Sequence, residues 1–176
     1  MKKRSMCRLY DTAESLIISF AVIVTVILFF FRAVSVDGSS MIPNLKHGER
    51  LITTNFMYTP EKGDIVVVDK NTNYGKPLVK RVIATEGDKI FIDYTTGDVY
   101  INDKLIEEEY IAEKISPANR ENIDITIPEG YVFVMGDNRN ESYDSRDEQI
   151  GLINTKNLLG KAVLRIYPFD SIGVIK

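Results

Sequence analysis

From Leu16 to Phe31 the chain runs sixteen positions without a charge, and thirteen of them are Leu, Ile, Val or Phe. After Val36 the pattern breaks into short β-branched and aromatic runs separated by polar turns. The first pattern predicts a membrane-spanning helix. A span needs about 20 apolar residues, with a lower limit of about 17. Ser15 and the stretch Ala33–Val36 supply the missing length, which places the helix over Ser15–Val34. Large apolar side chains contribute about 0.3–0.6 kcal/mol each to insertion, or roughly 4–8 kcal/mol together. A cleaved signal peptide is the competing reading, because Ala33–Ser35 offers small residues for a cleavage site. Its apolar stretch would be only about 7–15 residues long, and Arg32 stands in the approach to the cut. A helix buried in a soluble core would keep a polar stripe.

The second pattern predicts strands over Arg50–Phe56, Asp64–Asp69, Pro77–Ala84, Asp88–Tyr94, Asp98–Asn102, Tyr131–Asp137 and Ala162–Pro168. Each is bounded by Gly, Pro, Asn or Asp, the punctuation of strands. Thr95–Gly97 reads as a hairpin turn, and one short helix is expected near Asn154–Leu159. The expected fold class is mainly β: an N-terminal transmembrane helix, then an antiparallel all-β domain of two packed or coiled sheets. Residues 88–128 read as a small β insertion between core strands, and the acidic run EEEY (Glu107–Tyr110) as a solvated edge. The expected organisation is a basic segment at 1–14, an anchor at 15–34 and a body at 35–176.

Charge gives this layout an orientation. Lys2, Lys3, Arg4 and Arg8 precede the apolar run, and only Arg32 lies at its far end. The positive-inside rule then places residues 1–14 in the cytoplasm and the body outside. Beyond Arg32 the chain has 17 basic and 23 acidic residues, a balance that argues against nucleic acid as a partner. Cys7 is the one cysteine and His47 the one histidine. The body therefore has no disulfide, and neither a metal site nor a cofactor is expected.

Two serines follow the apolar block in VDGSSMIPNL (Val36–Leu45). A Ser-His-Asp triad would need His47, but that residue sits in a turn seven positions from Ser40, and triad members usually come from separate elements. A surface-turn histidine is the preferred reading. A desolvated lysine is another base, since burial disfavours the ammonium form and lowers the pKa by up to about 3–5 units. Lys80 in PLVKRVIA is the candidate. Period-two geometry sends Lys80 and Arg81 to opposite faces. One cation faces inward if the strand is central; an edge strand would leave both solvated. MGDNRNESYDSR (Met135–Arg146) reads either as an exposed loop or as a site-bearing loop on a rigid sheet. In it Ser142 is able to orient an amine, and Asp144 to pair with Arg146.

Together these stretches resemble the bacterial type I signal peptidases, or leader peptidases, which are Ser-Lys proteases. VDGSSMIPNL resembles the family's serine box, in which the nucleophile directly precedes Met; that assigns Ser40 rather than Ser39. GDIVVV (Gly63–Val68) resembles the next strand motif, and VKRVIATEGD (Val79–Asp88) the lysine box, with Lys80 as general base. MGDNRNESYDSR resembles the last box, which implies that Ser142 supports Lys80 while Asp144 and Arg146 stabilise the site. The boxes occur in the family's order and cover the chain from the anchor to about Arg165. One position departs from the pattern. Two residues before the nucleophile, where relatives often have a serine hydroxyl for the oxyanion, stands Gly38. Backbone N–H groups, that of Ser40 foremost, are expected to bind the oxyanion, with the Ser39 hydroxyl or a water replacing the missing donor.

The resemblance implies a single-pass bacterial membrane protease with an extracytoplasmic catalytic domain, working beside the export translocon. It would remove signal peptides from preproteins and prefer small residues at the first and third positions before the cut. Val36, Met41, Leu45 and Val79 are candidates for lining those pockets, with ordinary core as the alternative. Rival readings are a self-cleaving Ser-Lys protease of the SOS-repressor type, a non-enzymatic pilus-assembly factor, and a peptidase dedicated to a few pilus or surface substrates. The first would carry a DNA-binding motif where this chain has an apolar run; the second would have lost Ser40 or Lys80.

Overall fold

The computed structural model describes residues 2–70 and 74–175, with backbone alone at 2–9 and 11. The basic side chains at positions 2–8 and Cys7 lie outside the described side chains. Two compact units emerge, residues 1–32 and 33–176.

The first unit is a helix, α1 (Lys2–Phe30). Its apolar part, Thr12–Phe30, is 19 residues long. At 1.5 Å per residue that is about 28 Å, enough to cross a hydrocarbon core of about 30 Å. Leu16, Ile17, Phe20 and Leu28 are among the apolar side chains exposed along it, as expected where lipid takes the place of a protein core. The helix stops at Phe30, short of the expected Val34, and β1 (Phe31–Ser35) is extended instead. Backbone pairing accounts for the difference. Val36 N donates to Glu49 O at 2.8 Å and Gly48 N donates to Val36 O at 2.9 Å, so the chain leaves the apolar run already in sheet register.

The body contains an eight-stranded sheet. Its strands are β1, β2 (Arg50–Thr54), β3 (Ile65–Val68), β4 (Leu78–Thr85), β9 (Tyr131–Met135), β10 (Ile153–Asn154), β11 (Leu158–Tyr167) and β12 (Gly173–Val174). The order is β1-β2-β11-β3-β4-β9-β10, with β12 also on β11. All four residues of β3 are buried, which suits its unbroken apolar run IVVV at the middle of a sheet. A second, four-stranded sheet has the order β7-β6-β5-β8. It comprises β5 (Lys89–Asp93), β6 (Asp98–Ile101), β7 (Lys104–Leu105) and β8 (Ile123–Thr126). Burial alternates along β5 and β6, the signature of a sheet with one face in the core.

The expected helix near Asn154–Leu159 reduces to a 3-10 turn at Thr155–Asn157, whose Asn154 side chain accepts Lys156 N–H. Leu158 already begins β11. Three apolar clusters hold the body together. One joins Ile83, Phe133 and Met135 of the large sheet to Ile90, Ile92 and Val99 of the small one. A second packs Val66, Val68, Val82 and Val134. The third, Val36, Met41, Leu45, Leu51, Ile65 and Ala162, lies under the segment that carries the two serines.

Candidate active site

Ser40 lies on the loop between β1 and β2. The loop folds back on itself, with Ile42 N donating to Ser39 O at 3.1 Å and Leu45 N to Met41 O at 2.9 Å. Met41 and Leu45 are 1% and 2% exposed, so apolar burial pins the loop from beneath. It is pinned from the side by the loop after β9: Asn138 N donates to Ser40 O at 3.0 Å, and Asn138 Nδ2 to Ser39 O at 3.3 Å.

Lys80 comes from β4, which is flanked by β3 and β9 and pairs Lys80 with Val66. The side chain is 2% exposed, and its Nζ lies 2.5 Å from Ser40 Oγ. Burial lowers the Lys80 pKa from 10.5 to about 8; the Asp144 carboxylate opposes this, the Arg146 guanidinium adds to it and Asp137 opposes it. An amine so placed is uncharged in roughly a tenth of molecules at pH 7 and roughly half at pH 8. It is within reach of a hydroxyl proton.

The loop after β9 holds the other residues expected here. Asp144 is 1% exposed and accepts Gly136 N–H at 2.9 Å and Arg146 Nε and Nη2 at 2.8 Å each. Burial alone would push its carboxyl up, but the Arg146 fork outweighs this and holds it below the usual carboxylate range. Ser142 Oγ is buried and lies in hydrogen-bonding geometry to no group among the described residues, Lys80 included. It is near enough to Asp144 to help keep that carboxylate ionised. Gly136 is the floor between the two serines: a Cβ there would overlap both Ser142 Oγ and Ser40 O.

A cavity of about 390 Å³ opens beside Ser40 and Lys80, with Ser35, Gly38, Tyr74, Leu78 and Val79 on its wall. Val36, Met41 and Leu45 lie instead in the buried cluster under the loop, where they position Ser40. His47 Nδ1 faces the Gly38 N–H and the Asp37 carboxylate, each at 3.2 Å.

A buried polar network on the other face of β4 was not foreseen. Arg81 is 3% exposed; its Nε and Nη2 donate to Asp137 at 2.8 Å each, and its Nη1 to Gly63 O at 2.7 Å. Its guanidinium lies 4.2 Å from the centroid of the Tyr110 ring. Asn44, four residues after Ser40, donates to Asp137 Oδ2 at 2.8 Å and to Tyr110 O at 2.6 Å. Arg139 forks the Glu108 carboxylate, which also accepts the Tyr110 hydroxyl at 2.7 Å. The Glu108 side chain is 7% exposed, so the acidic run is a buried tie at this position and not the solvated edge expected. The local signal was misleading because Glu108's partner, Arg139, lies 31 positions away.

The sequence matches the family described as signal peptidase, peptidase S26, over residues 9–167. It is 35% identical to signal peptidase I of Bacillus licheniformis, over 93% of this chain and 91% of that protein. It is 34% identical to signal peptidase I P of Bacillus subtilis subsp. natto, over 97% of this chain and 96% of that protein. A crystal structure of a signal peptidase I from Enterococcus faecalis V583 is 26% identical, covers 59% of this chain and 97% of its own, and superposes with a TM-score of 0.48. By the family match over residues 9–167 and the relatives aligned along nearly its whole length, the chain belongs to the signal peptidase family of serine peptidases, peptidase S26.

Proposed function

We propose that this membrane-associated peptidase removes N-terminal signal peptides from exported preproteins with Ser40 as nucleophile and Lys80 as general base. The observation that carries the reading is the 2.5 Å approach of the buried Lys80 Nζ to Ser40 Oγ. Neutral Lys80 takes the Ser40 proton as Oγ attacks the carbonyl carbon of the last signal-peptide residue. The tetrahedral oxyanion is bound by backbone N–H groups, chiefly that of Ser40. Lys80 returns the proton to the leaving amine, and the mature protein departs from an acyl-enzyme. Lys80 then takes a proton from water, whose oxygen attacks the ester, and Ser40 is regenerated with a free signal-peptide carboxylate. Asp144 and Arg146 brace the loop that carries Ser142, the candidate to support the Lys80 amine. Gly38 has no hydroxyl to offer the oxyanion, so the Ser39 side chain or a water supplies any second polar contact. Val79 touches the substrate's small side chains, with Val36, Met41 and Leu45 shaping the pocket from beneath.

In this reading residues 1–14 are cytoplasmic, 15–34 anchor the chain in a bacterial membrane, and 35–176 form the extracytoplasmic catalytic domain, with 88–128 as an inserted part. A short tether explains why the nucleophile follows the anchor so closely. Eight residues separate Arg32 from Ser40, a reach of at most about 29 Å, and the cut site of a signal peptide lies at that depth beside the translocon. The test is incubation of the full chain in lipid vesicles with a labelled preprotein, wild type beside Ser40→Ala, followed by sequencing of the product's new N-terminus. Cleavage after a small residue by wild type alone supports the reading; cleavage by both overturns it.

A further inference from the structure

His47 Nδ1 is asked to do two incompatible things. It lies 3.2 Å from Gly38 N, a donor, and 3.2 Å from Asp37 Oδ1, an acceptor. One ring nitrogen satisfies one of them at a time. In the neutral ring with the proton on Nε2, the Nδ1 lone pair accepts the Gly38 N–H. In the imidazolium, Nδ1–H donates to Asp37, and the Gly38 N–H faces another donor.

The Gly38 bond matters because of where it sits. Gly38 stands two residues before Ser40 and lines the same cavity. Its backbone is at φ +93°, a conformation that side-chain-bearing residues rarely adopt. Cluster burial holds Val36, Met41 and Leu45 on either side, while Asp37, Gly38 and Ser39 are exposed. His47 is therefore the outer tie on the part of the loop that apolar burial does not reach. The charged groups near it are Asp37, at 3.2 Å, its neighbour Lys46, and Glu49 two positions on, which Arg165 engages at 3.0 Å.

We propose that His47 is a positioning residue for the nucleophile's loop: its Nδ1 accepts the Gly38 N–H and holds the backbone that presents Ser40. The inference rests on the Ser40–Lys80 reading. A hydrogen bond of ordinary worth corresponds to a roughly two- to tenfold effect, so about that loss of kcat/KM accompanies removal of the acceptor.

The experiment is the pH profile of kcat/KM for the full chain in lipid vesicles on a preprotein, for wild type, His47→Asn and His47→Ala. Wild type is expected to show a fall of slope one below the lysine's titration near pH 8. The Asn amide oxygen also accepts the Gly38 N–H, so His47→Asn keeps most of the activity and the same break. His47→Ala keeps that break but is about two- to tenfold slower at pH 8. A His47→Ala curve that overlays wild type, or a His47→Asn variant as slow as His47→Ala, overturns the role of His47 and leaves the dyad standing. Absence of the break near pH 8 overturns the dyad, and this inference with it.

Discussion

Lys80 and Arg81 are neighbours in β4, and the pleat sends their cations to opposite faces, both out of water: Lys80 to Ser40 Oγ at 2.5 Å and Arg81 to Asp137 at 2.8 Å. The two burials have opposite electrostatic outcomes. Arg81 meets a bidentate carboxylate, a carbonyl and an aromatic face, so its charge is compensated. Lys80 meets a hydroxyl at close range, and for it burial is the dominant influence. The adjacent guanidinium, fixed to Asp137 and Tyr110, locks the strand that aims the amine.

Removing either partner of the dyad is expected to abolish turnover. Ser40→Ala and Lys80→Ala should each reduce preprotein cleavage by about 10⁴-fold or more. Ser39→Ala should retain most activity, because Ser39 holds Asn138 through its backbone carbonyl, which the substitution preserves. Rates are measured on the full chain in vesicles with excess enzyme.

A lysine pKa lowered by folding is a stability cost at the pH where the amine is charged in both states. The folded value is about 8 against 10.5 for an ordinary lysine. Below pH 8 the full cost, about 3 kcal/mol, is present. It falls away between pH 8 and 10.5, where the unfolded chain binds the proton and the folded one does not. Lys80→Met should therefore be more stable than wild type at pH 6, with the difference shrinking as pH rises. Denaturant titrations at pH 6 and pH 10 check this; an advantage that grows with pH would contradict it.

The Arg81 network predicts large losses from single substitutions. Asp137→Ala leaves a buried guanidinium without its carboxylate and should cost about 3–5 kcal/mol. Glu108→Ala does the same to Arg139, whose side chain is 1% exposed. Both are measured by urea unfolding, and a loss under about 1 kcal/mol, the range of a surface pair, would show that the network is solvated.

How much of this was legible follows from the range of each interaction. β-branched and aromatic runs bounded by turn residues identify β2, β3, β4, β5, β6, β9 and β11 as strands. Periodicity put Lys80 and Arg81 on opposite faces but left central and edge placement open, because that choice depends on β9, about fifty residues later in the chain. Glu108 and Tyr110 looked solvated because their partners are distant: the contact from Asn44 to Tyr110 spans 66 positions. Two-residue strands such as β7, β10 and β12 have no local signature and exist only through their pairing. α1 ends four residues before the expected Val34, since the side chains of Phe31, Ala33 and Val34 suit a lipid-facing helix and a strand alike.

Gly136→Ala places a methyl group where Ser142 Oγ and the Ser40 carbonyl already lie. Because one of those atoms is backbone of the Ser40 loop, the strain cannot be relieved by a side-chain rotation. The substitution should cost about 1–3 kcal/mol and displace Ser40, lowering kcat with little change in KM. An unchanged kcat would mean that the loop yields without moving the nucleophile.

The central claim is an uncharged amine at Ser40, and titrating that amine tests it most directly. With ¹⁵N-labelled lysine in the full chain, and the resonance assigned by its loss in Lys80→Met, the Lys80 Nζ signal should titrate at about pH 8. Titration near 10.5, the value of an ordinary lysine, would mean a charged ammonium across the working range and would contradict its role as the base.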